Sequence, residues 1–565
     1  MIALAAGVLA ASFLHPCDVP GIKAKAQCGT YEVWENRAAK SGRRIGLNVV
    51  VLPASGSPRA SDALTFLAGG PGQAATSLAP FLAQTFGSLL DHRDVLLVDQ
   101  RGTGGSHALE CNLFPGSDAQ AALGSFLPVD RVAQCRAALE KTADLRMYTT
   151  AATADDLDEV RAALGYDKLD VFGGSYGTRA AQVFMQRHPE RVRVAVMKGV
   201  QPTSDPVPLN FPKYAQQAID RIFSDCRADA HCHSAFPDSN NALRAIVARA
   251  AAKPVDVEIL DSRSGEPVHV SLSRDLLGEA LRYLMYESST ALFVPLLVHQ
   301  AASGDFVPLA EFALGSRRQL VNSGGQGLYL CVTCSEDLPF VAPADAERAA
   351  ANMFLGDYRY RQQREACAEW VRGAIPADLR KPARGEMPVL LVSGSWDPVT
   401  PASGAKEVAA SLPHAASVLI PGGGHSYDGI PGAEECVNAI AREVVERAST
   451  AGIDTSCVSR LKLPPFPTRP VETRVVTLTT EQLSSLAGHY TGEGVPALDI
   501  VIERGKLIGR LQGEEEPVAL APTSPKRLRL LGMIGAYLDA DPQSGSLTLE
   551  RSGIPELSWK KAAGK

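Results

Sequence analysis

The 565-residue chain predicts an α/β fold, with a mostly parallel sheet covered by helices on both faces, an inserted helical cap and a small C-terminal all-β domain. Short runs that are apolar along their whole length, such as DVLLVDQRG from Asp94, alternate with stretches of helical spacing. Strands of this kind are buried on both faces, which is typical of a parallel sheet between helices. The alternation stops after residue 200, resumes near residue 385, and gives way to period-two patterning after residue 470.

The sheet is expected to come from two separate parts of the chain. Over residues 17–200, the predicted strands are LNVVVLPA from Leu47, ALTFLAGG from Ala63, DVLLVDQRG, KLDVFGGS from Lys168 and VRVAVMKGV from Val192. Over residues 385–461, the predicted strands are PVLLVSGSWD from Pro388 and ASVLIPGGGHS from Ala416, with helices from Ala402 and Ala433. Both series together are assigned to one α/β core.

Residues 201–384 have a different texture and are predicted to form a mainly helical cap. Prolines mark several breaks, and VDVEILDSRSGEPVHVSL from Val255 predicts a single hairpin. Because this stretch interrupts the sheet between two strands, we expect it to lie over the sheet and to control access to any site there.

The end of the chain is predicted to be a separate unit. The segment KLPPFPTRP, residues 462–470, carries four prolines and predicts a stiff, extended linker. Beyond it, residues 471–565 alternate apolar and polar side chains, as in ALDIVIERGKLIGRLQG from Ala497, with a turn at Gly505. This pattern predicts half-exposed hairpins and therefore a small β-barrel or β-sandwich domain.

The N-terminal segment and the overall charge limit the possible partners. The net charge is −6 and the pI is near 6.0, so the basic footprint of a nucleic-acid binder is missing. MIALAAGVLAASFL is too short to span a bilayer and resembles the apolar core of a secretory signal, which predicts a leader over residues 1–16 and a secreted or periplasmic protein. A buried N-terminal helix is the alternative. No integral membrane segment is expected in the mature chain.

Eleven cysteines support export independently. Several lie close together in the sequence, and short staples of this kind are favoured in oxidising compartments. The C-x-x-C at Cys331 and Cys334 is not followed by a second such pair at zinc spacing, so no metal site is expected. The predicted disulfides are Cys17–Cys28, Cys111–Cys135, Cys226–Cys232, Cys334–Cys367 and Cys436–Cys457, which leaves Cys331 free.

The segment GGSYG predicts a nucleophilic serine at Ser175. It matches G-x-S-x-G directly after an apolar strand and directly before a helix, and this context gives the motif its weight. A nucleophile at such a sharp turn needs glycines two residues before and two residues after it, because larger side chains would clash. The alternative is a Gly-rich turn with a serine that caps the helix.

A serine hydroxyl needs a base to take its proton and an acid to orient that base. In folds with this motif the acid and then the histidine follow the serine along the chain. GSWDPVTP places Asp397 just past one predicted strand, and GGGHS places His425 just past the next. We therefore predict a catalytic triad of Ser175, Asp397 and His425. The alternative is an aspartate that caps a helix and a histidine on a loop.

The negatively charged intermediate of such a reaction needs two backbone N–H donors. The predicted donors of this oxyanion hole are Tyr176, the residue after the nucleophile, and Gly70, in the turn AGGPG that follows an early strand. A purely structural Gly-Pro turn is the alternative reading of the second segment.

Taken together, GGPG, DQRGTGGS, GGSYGT, GSWDPVTP and GGGHS resemble the proline iminopeptidase and tripeptidyl aminopeptidase group of α/β-hydrolases, over residues 17–457. GQGLYLCVTCSEDLPF in the cap is similar to the tripeptidyl aminopeptidase (TAP)-like members. The resemblance implies a serine exopeptidase that releases one to three residues from the free N-terminus of small peptides, without a metal or cofactor. LAGHYTGEG from Leu486 is similar to small β-barrel domains appended to penicillin-binding-like hydrolases.

An aminopeptidase must also hold a protonated amine, which requires a carboxylate or carbonyl groups when the charge is shielded from water. The resemblance implies cap carboxylates for this role. Glu336 and Asp337 are the candidates, and Glu336 is preferred. A solvated acidic turn is the alternative. Family members commonly carry an acidic residue where this chain has Lys198, and a lysine cannot replace Asp397 as the triad acid.

Two other functions remain open from the sequence. A secreted carboxylesterase or lipase would use the same triad, because esters and peptides both pass through an acyl-enzyme. A catalytically silent binding protein would need none of the three residues. Since the triad lies before the Pro-rich linker, removal of the chain after Pro470 is expected to leave cleavage largely in place.

Overall fold

The computed structural model describes residues 13–22, 25–114, 118–322, 324–514, 516–541, 543–551 and 556–562. Most of the predicted leader, residues 1–12, lies outside the described residues. The last residues of that predicted segment belong to a strand at the edge of the main sheet, Leu14–Cys17, which pairs antiparallel with the strand that follows. Among the described helices, none is both long and apolar enough to cross a bilayer.

The described strands are, in chain order, β1 (Leu14–Cys17), β2 (Ala26–Trp34), β3 (Arg44–Leu52), β4 (Ala63–Leu67), β5 (Asp94–Val98), β6 (Leu169–Gly174), β7 (Val192–Lys198), β8 (Val255–Leu260), β9 (Pro267–Leu272), β10 (Val389–Gly394), β11 (Ala415–Ile420), β12 (Gly488–Gly492), β13 (Val495–Glu503), β14 (Lys506–Leu511), β15 (Val518–Ser524), β16 (Arg527–Leu530), β17 (Ala536–Asp541), β18 (Ser546–Arg551) and β19 (Leu557–Lys561).

The described α-helices are α1 (Ala79–Phe86), α2 (Ala119–Ala122), α3 (Val129–Leu139), α4 (Thr150–Ala163), α5 (Tyr176–Arg187), α6 (Phe211–Ala228), α7 (Ala230–Ala235), α8 (Ser239–Ala252), α9 (Arg274–Leu284), α10 (Ser288–Ala291), α11 (Val294–Ala302), α12 (Val307–Asn322), α13 (Gln326–Val332), α14 (Pro343–Ala350), α15 (Tyr358–Ala368), α16 (Ala402–Ala409), α17 (Ala433–Arg447) and α18 (Thr480–Leu486). A π-helical turn, Thr333–Asp337, continues α13.

The main sheet has nine strands in the order β1-β2-β3-β5-β4-β6-β7-β10-β11. The strands from β5 to β11 in this order run parallel, whereas β1, β2 and β3 are antiparallel. All five residues of β5 are buried. Consecutive side chains belong to the apolar cores on opposite faces of the sheet, Leu96 to the core that includes Val160 of α4 and Leu97 to the core that includes Val444 of α17. This two-sided burial explains why the strand is apolar throughout, and it confirms the predicted α/β class.

The cap is inserted between β7 and β10, which are neighbours in the sheet. It contains helices α6 to α15 and the antiparallel hairpin β8–β9, which is the segment whose sequence predicts a hairpin. Helices α6 to α12 pack around a separate apolar core, which includes Phe223, Leu281 and Leu297, whereas α13 and α14 pack into the core beside the sheet. Because the insertion follows a strand's carboxyl end, it extends from the edge of the sheet at which such folds place their sites.

The C-terminal strands β12 to β19 form a closed barrel in which each strand pairs with its neighbours in the sequence. The inward-facing side chains are apolar and fill the interior, among them Ile500, Leu507, Leu528 and Trp559. The predicted turn at Gly505, which has φ of 77°, joins β13 to β14. Closure leaves no open sheet edge, which suits a small exposed β domain.

The barrel is packed against the cap rather than held away from it by the linker. Arg529 of β16 forms a buried ion pair with Glu311 of α12, and Ile534 enters the apolar core of the cap. In the linker, Phe466 packs on Trp396, with 6.0 Å between the ring centroids. The linker thus lies against the body of the protein, because Phe466, between the prolines, packs on Trp396.

Five disulfides are present, and they join the five pairs expected from the sequence, Cys17–Cys28, Cys111–Cys135, Cys226–Cys232, Cys334–Cys367 and Cys436–Cys457. Cys331 is free and buried. Burial raises the pKa of its thiol to about 12, so this cysteine is an unreactive core residue.

Candidate active site

Ser175 occupies the turn between the end of β6 and the start of α5. Its backbone has φ of 57° and ψ of −126°, a conformation that costs a residue with a side chain about 1–3 kcal/mol. The surroundings hold it there, because its N–H donates to the carbonyl oxygen of Lys198 at 3.0 Å and its own carbonyl accepts from the Thr178 hydroxyl at 2.7 Å. The turn thus has the strained geometry expected for an exposed nucleophile.

The glycines of the motif are required by close backbone approaches. A Cβ added to Gly177 would lie 1.9 Å from the carbonyl oxygen of Leu67, and one added to Gly173 would lie 2.6 Å from that of Gly177. No larger residue fits at either position without moving strand β4 or helix α5. The crowding inferred from the sequence is therefore present in the structure.

Asp397 follows β10 and His425 follows β11, so both lie at the same edge of the sheet as Ser175. The Nδ1 atom of His425 is 2.9 Å from Oδ2 of Asp397. Asp397 is 3% exposed, and its other oxygen accepts the backbone N–H groups of Val399 and Thr400 at 2.9 Å each. The hydroxyl of Thr400 donates to Oδ2 at 2.6 Å and lies 3.0 Å from Nδ1 of His425.

These donors decide the charge of Asp397. Burial raises the pKa of its carboxyl group, but His425 and the hydrogen bonds from Thr400 more than offset this, and the net effect is a lowered pKa. Asp397 is therefore ionised over the whole range in which an enzyme of this kind works, and its charge faces the imidazole.

His425 and Ser175 converge on the end of β7. The residue after Lys198, whose carbonyl binds the Ser175 N–H, is Gly199, and a Cβ added there would lie 3.0 Å from Cε1 of His425. The imidazole also contacts Tyr286 of the cap, edge to face, with ring centroids 5.3 Å apart. The side chain of His425 remains 17% exposed, which leaves it accessible to a substrate.

Tyr286 is itself held by a buried arginine. The phenol oxygen accepts a hydrogen bond from Nη1 of Arg282 at 2.7 Å, and the guanidinium lies over the ring. Burial raises the pKa of Tyr286 to about 12, although Arg282 acts in the opposite direction. The phenol is therefore protonated, and it forms a rigid, neutral wall beside His425.

The predicted oxyanion donors lie next to the nucleophile. A Cβ added to Gly69 would lie 3.1 Å from Cβ of Ser175, so the turn after β4, which includes Gly70, passes directly over the serine. Tyr176 is the first residue of α5, where backbone N–H groups are not used within the helix. Its side chain points into the core, with the hydroxyl 2.7 Å from that of Thr150.

The positions of Glu336 and Asp337 do not fit the amine-binding role predicted for them. Glu336 is 1% exposed, and its two oxygens accept hydrogen bonds from the N–H and hydroxyl of Thr150, both at 2.7 Å. Asp337, also buried, pairs with Arg179 at 2.8 Å. The π-helical turn packs against α4 and α5 through these contacts, so both carboxylates support the helices below the nucleophile. Neither carboxylate is open to a substrate's ammonium group.

Lys198 is also occupied by neighbours within the fold. Its ammonium group pairs with Glu434 of α17 at 2.5 Å and lies 4.2 Å from the centre of the Tyr427 ring. Lys198 therefore serves the packing of α17 at the end of β7, consistent with the view that it does not replace the triad acid.

Two residues of this site were missed by the sequence reasoning. Thr400 could have been found, because a threonine three residues after Asp397 is well placed to bond back to the carboxylate. Tyr286 carries no such signal, since it lies in the cap, far from His425 in the sequence. Within the described ranges no group of three or more His, Cys, Asp or Glu side chains is arranged to hold a metal ion.

Comparison with known proteins supports both the fold and the chemistry. A family model described as "alpha/beta hydrolase fold" matches residues 62–252, and a model described as "TAP-like protein" matches residues 351–457. The first match covers the Ser175 turn, and the second covers both Asp397 and His425.

Three similar proteins carry names that refer to different hydrolase activities. Serine protease Hip1 of Mycobacterium tuberculosis is 27% identical over 428 residues, covering 68% of this chain and 79% of the relative. Carboxylesterase B of the same organism is 27% identical over 451 residues, covering 73% of this chain and 83% of the relative. Tripeptidyl aminopeptidase of Streptomyces coelicolor is 30% identical over 195 residues, covering 31% of this chain and 35% of the relative.

A parallel sheet with a strained serine turn, an Asp–His pair at the same edge and these two family matches lead to one conclusion. The chain has the α/β-hydrolase fold and is a serine hydrolase, and residues 351–457, which complete its core, are similar to the TAP-like proteins.

Proposed function

We propose that this protein is a secreted or periplasmic serine exopeptidase that cleaves short peptides from a free N-terminus, with Ser175, Asp397 and His425 as its catalytic triad. The observation that carries the proposal is the convergence of the strained Ser175 turn and the Asp397–His425 pair at one edge of the sheet. Neither a binding protein nor a structural domain has use for a buried, ionised aspartate oriented on an accessible imidazole.

The geometry supports a two-step reaction. His425 takes the proton of the Ser175 hydroxyl on Nε2 while Asp397 holds its Nδ1–H, and the serine oxygen attacks the carbonyl carbon of the scissile bond. The N–H groups of Gly70 and Tyr176 then stabilise the negative oxygen of the tetrahedral intermediate. His425 gives its proton to the leaving amine, and water, activated by the same imidazole, releases the acyl group from Ser175.

The preference for short peptides is inferred from the cap. Tyr286, which belongs to the cap, packs directly on His425, so the cap reaches the triad and limits access to it from that side. A site restricted by a cap admits the end of a peptide more readily than the middle of a folded chain. The names of two relatives, a serine protease and a tripeptidyl aminopeptidase, agree with peptide cleavage.

A carboxylesterase is the second candidate, and a specific observation favours it. The carboxylates predicted to bind the substrate's amine, Glu336 and Asp337, are buried and engaged elsewhere. Another relative is named Carboxylesterase B. An esterase would need the same triad and no amine site.

Export is supported by the disulfides. Five bonds over three parts of the fold, the sheet edge, the cap and the loops beside α3 and α17, need an oxidising compartment to form. The predicted leader adds to this argument from the sequence.

One panel of substrates separates the candidates. Aminoacyl, dipeptidyl and tripeptidyl chromogenic amides, each with a free and an acetylated N-terminus, are compared with short-chain esters by kcat/KM. An exopeptidase cleaves the free amides at least about tenfold better than the acetylated ones. Equal rates on both, or activity on esters alone, would favour the esterase. Labelling by a fluorophosphonate, with Ser175→Ala as control, excludes a silent binding protein when only the parent is labelled.

A further inference from the structure

The loop that carries His425 is held by a short segment of the cap. We name Gly424–Asp428 the histidine loop and Tyr286–Ser289 the clasp. Glu287 and Ser426 form an isolated parallel bridge, so the two segments run side by side. Their hydrogen bonds are Ser426 N to Tyr286 O at 2.7 Å, Gly424 N to Ser288 Oγ at 3.0 Å, Ser288 Oγ to Ser426 O at 3.1 Å and Ser289 N to Asp428 O at 2.7 Å.

The clasp therefore determines where the imidazole lies. His425 is the second residue of the histidine loop, its neighbours Gly424 and Ser426 both bond to the clasp, and Tyr286 of the clasp packs on its ring. A Cβ added to Gly424 would lie 2.7 Å from the carbonyl oxygen of Tyr286, so the backbones of the histidine loop and the clasp are in direct contact. A displacement of the clasp must displace His425 as well.

Among the described residues of the barrel, Arg551 contacts the clasp with its side chain. Nη2 of Arg551, the last residue of β18, lies 3.1 Å from Oε2 of Glu287 and 3.4 Å from Oγ of Ser289. Both partners belong to the clasp, and the arginine side chain is 24% exposed. Arg551 thus bridges two clasp residues whose backbones pair with the histidine loop.

Other contacts make the barrel a fixed support for Arg551. The buried pair of Arg529 with Glu311 and the insertion of Ile534 into the cap core tie the barrel to the cap elsewhere. The N–H of Ala519 donates to the carbonyl oxygen of Ser262 at 2.8 Å. The position of Arg551 is therefore set by the docked barrel and not by the clasp alone.

We propose that Arg551 is a positioning residue, through which the C-terminal barrel holds the clasp and with it the imidazole of His425. The inference rests on the proposed function, since it assigns the barrel a part in the reaction of the same triad. It also replaces the expectation that the chain after residue 470 is dispensable for cleavage.

The test uses point variants of the full chain. Arg551→Glu places two carboxylates together and should lower kcat about tenfold, with KM within about twofold, since small misplacements of a catalytic group are costly. Arg551→Met removes the charge but keeps the stem, and it should lower kcat about threefold. Arg551→Lys should retain most of the parent kcat. In the double variant Arg551→Glu with Glu287→Arg the two charges are exchanged. Its log kcat should lie at least halfway from that of Arg551→Glu back to that of the parent.

Arg263→Ala is the matched control. Arg263 pairs with Glu516 across the same cap–barrel interface at 2.8 Å and has a side-chain exposure of 29%, but it contacts neither the clasp nor the histidine loop. Its replacement should leave kcat unchanged. Melting temperatures of all variants show whether a change in kcat comes with a loss of fold.

The outcomes separate this proposal from the proposed function. If the parent is not labelled at Ser175 by a fluorophosphonate, the triad assignment fails. If the parent is labelled and Arg551→Glu and Arg551→Met keep the parent kcat and labelling rate, the triad stands and the role of Arg551 is wrong. Equal losses of kcat in the Arg551 variants and Arg263→Ala would also overturn it, because only general docking would then matter.

Discussion

Two buried carboxyl groups, one at the end of the sheet and one in the cap, have pKa values shifted in opposite directions, although burial raises the pKa of both. Asp397 and Glu336 are 3% and 1% exposed, and for each of them desolvation is the largest influence on the pKa. Yet the pKa of Asp397 is lowered, whereas that of Glu336 is raised to about 7. Burial alone therefore does not predict the charge of a carboxyl group.

The difference lies in the partners. Asp397 accepts from His425, from the hydroxyl and N–H of Thr400 and from the N–H of Val399. Glu336 has the two groups of Thr150 and the more distant charge of Arg179, which it shares with the like-charged Asp337. Asp397 stays charged because its partners include an ionisable base, whereas Glu336 lies beside the like-charged Asp337.

The largest effect is expected for Asp397→Asn. The amide keeps the shape but cannot hold the imidazole in the tautomer that accepts the serine proton, so kcat/KM should fall by about 10³- to 10⁴-fold. Initial rates on the best substrate of the panel measure this, with circular dichroism as the control for folding. A loss of less than tenfold would show that another carboxylate serves as the triad acid.

Thr400→Val tests whether the additional donor matters. Valine has the same shape as threonine, so the change removes the hydroxyl that bonds Asp397 and lies beside Nδ1 of His425. We expect kcat to fall about tenfold, in line with about 1.4 kcal/mol for one charge-assisted hydrogen bond. Thr400→Ser, which restores the hydroxyl, is the control and should recover most of the activity. Parent rates in the valine variant would contradict the role.

Glu336→Gln makes the same chemical change as Asp397→Asn, and the comparison predicts a small effect. The amide oxygen and nitrogen of glutamine can both bond Thr150, so the helices below Ser175 should keep their places. We expect kcat/KM to fall by less than about threefold, and equally for free-amine amides, acetylated amides and esters. A selective loss of about 10- to 150-fold for free-amine peptides would instead restore Glu336 as the amine ligand.

The smallest effect concerns stability and pH. With a pKa of about 7 in the folded protein against 4.5 in the unfolded chain, Glu336 holds a proton on folding. Its contribution to stability is full below pH 4.5 and is lost as the pH rises through 7. Glutamine carries no such proton to lose. The melting temperature of Glu336→Gln minus that of the parent should therefore be about 2 °C larger at pH 8 than at pH 5. A constant difference across this range would contradict the raised pKa.

Asp397 should show the opposite sign. Because its pKa is lowered in the folded protein, it adds stability above its usual pKa, and this is lost as the pH falls through the lowered value. The parent should therefore be more stable than Asp397→Asn at neutral pH, and the gap in melting temperature should narrow in acid. These two variants together test the comparison without any substrate.

How far the sequence leads depends on whether a feature is local. Ser175, Asp397 and His425 each follow a predicted strand closely, so the carboxyl edge of a parallel sheet brings them together without knowledge of the packing. The sequence predicts an amine-binding role for Glu336 that its surroundings do not fit, because its partner, Thr150, begins a helix far away in the sequence. For the same reason neither Tyr286 nor Arg551 carries a local signal, and the closed barrel could not be told from a sandwich.

The insertion of the cap between β7 and β10 also has a consequence for the order of synthesis. A nascent chain presents Ser175 first, while the strands that bring Asp397 and His425 to the sheet emerge only after the whole cap has been made. The barrel that carries Arg551 is made after these strands. An unfinished chain therefore carries Ser175 without the Asp397–His425 pair, so under the proposed mechanism its serine has no base to take up the proton.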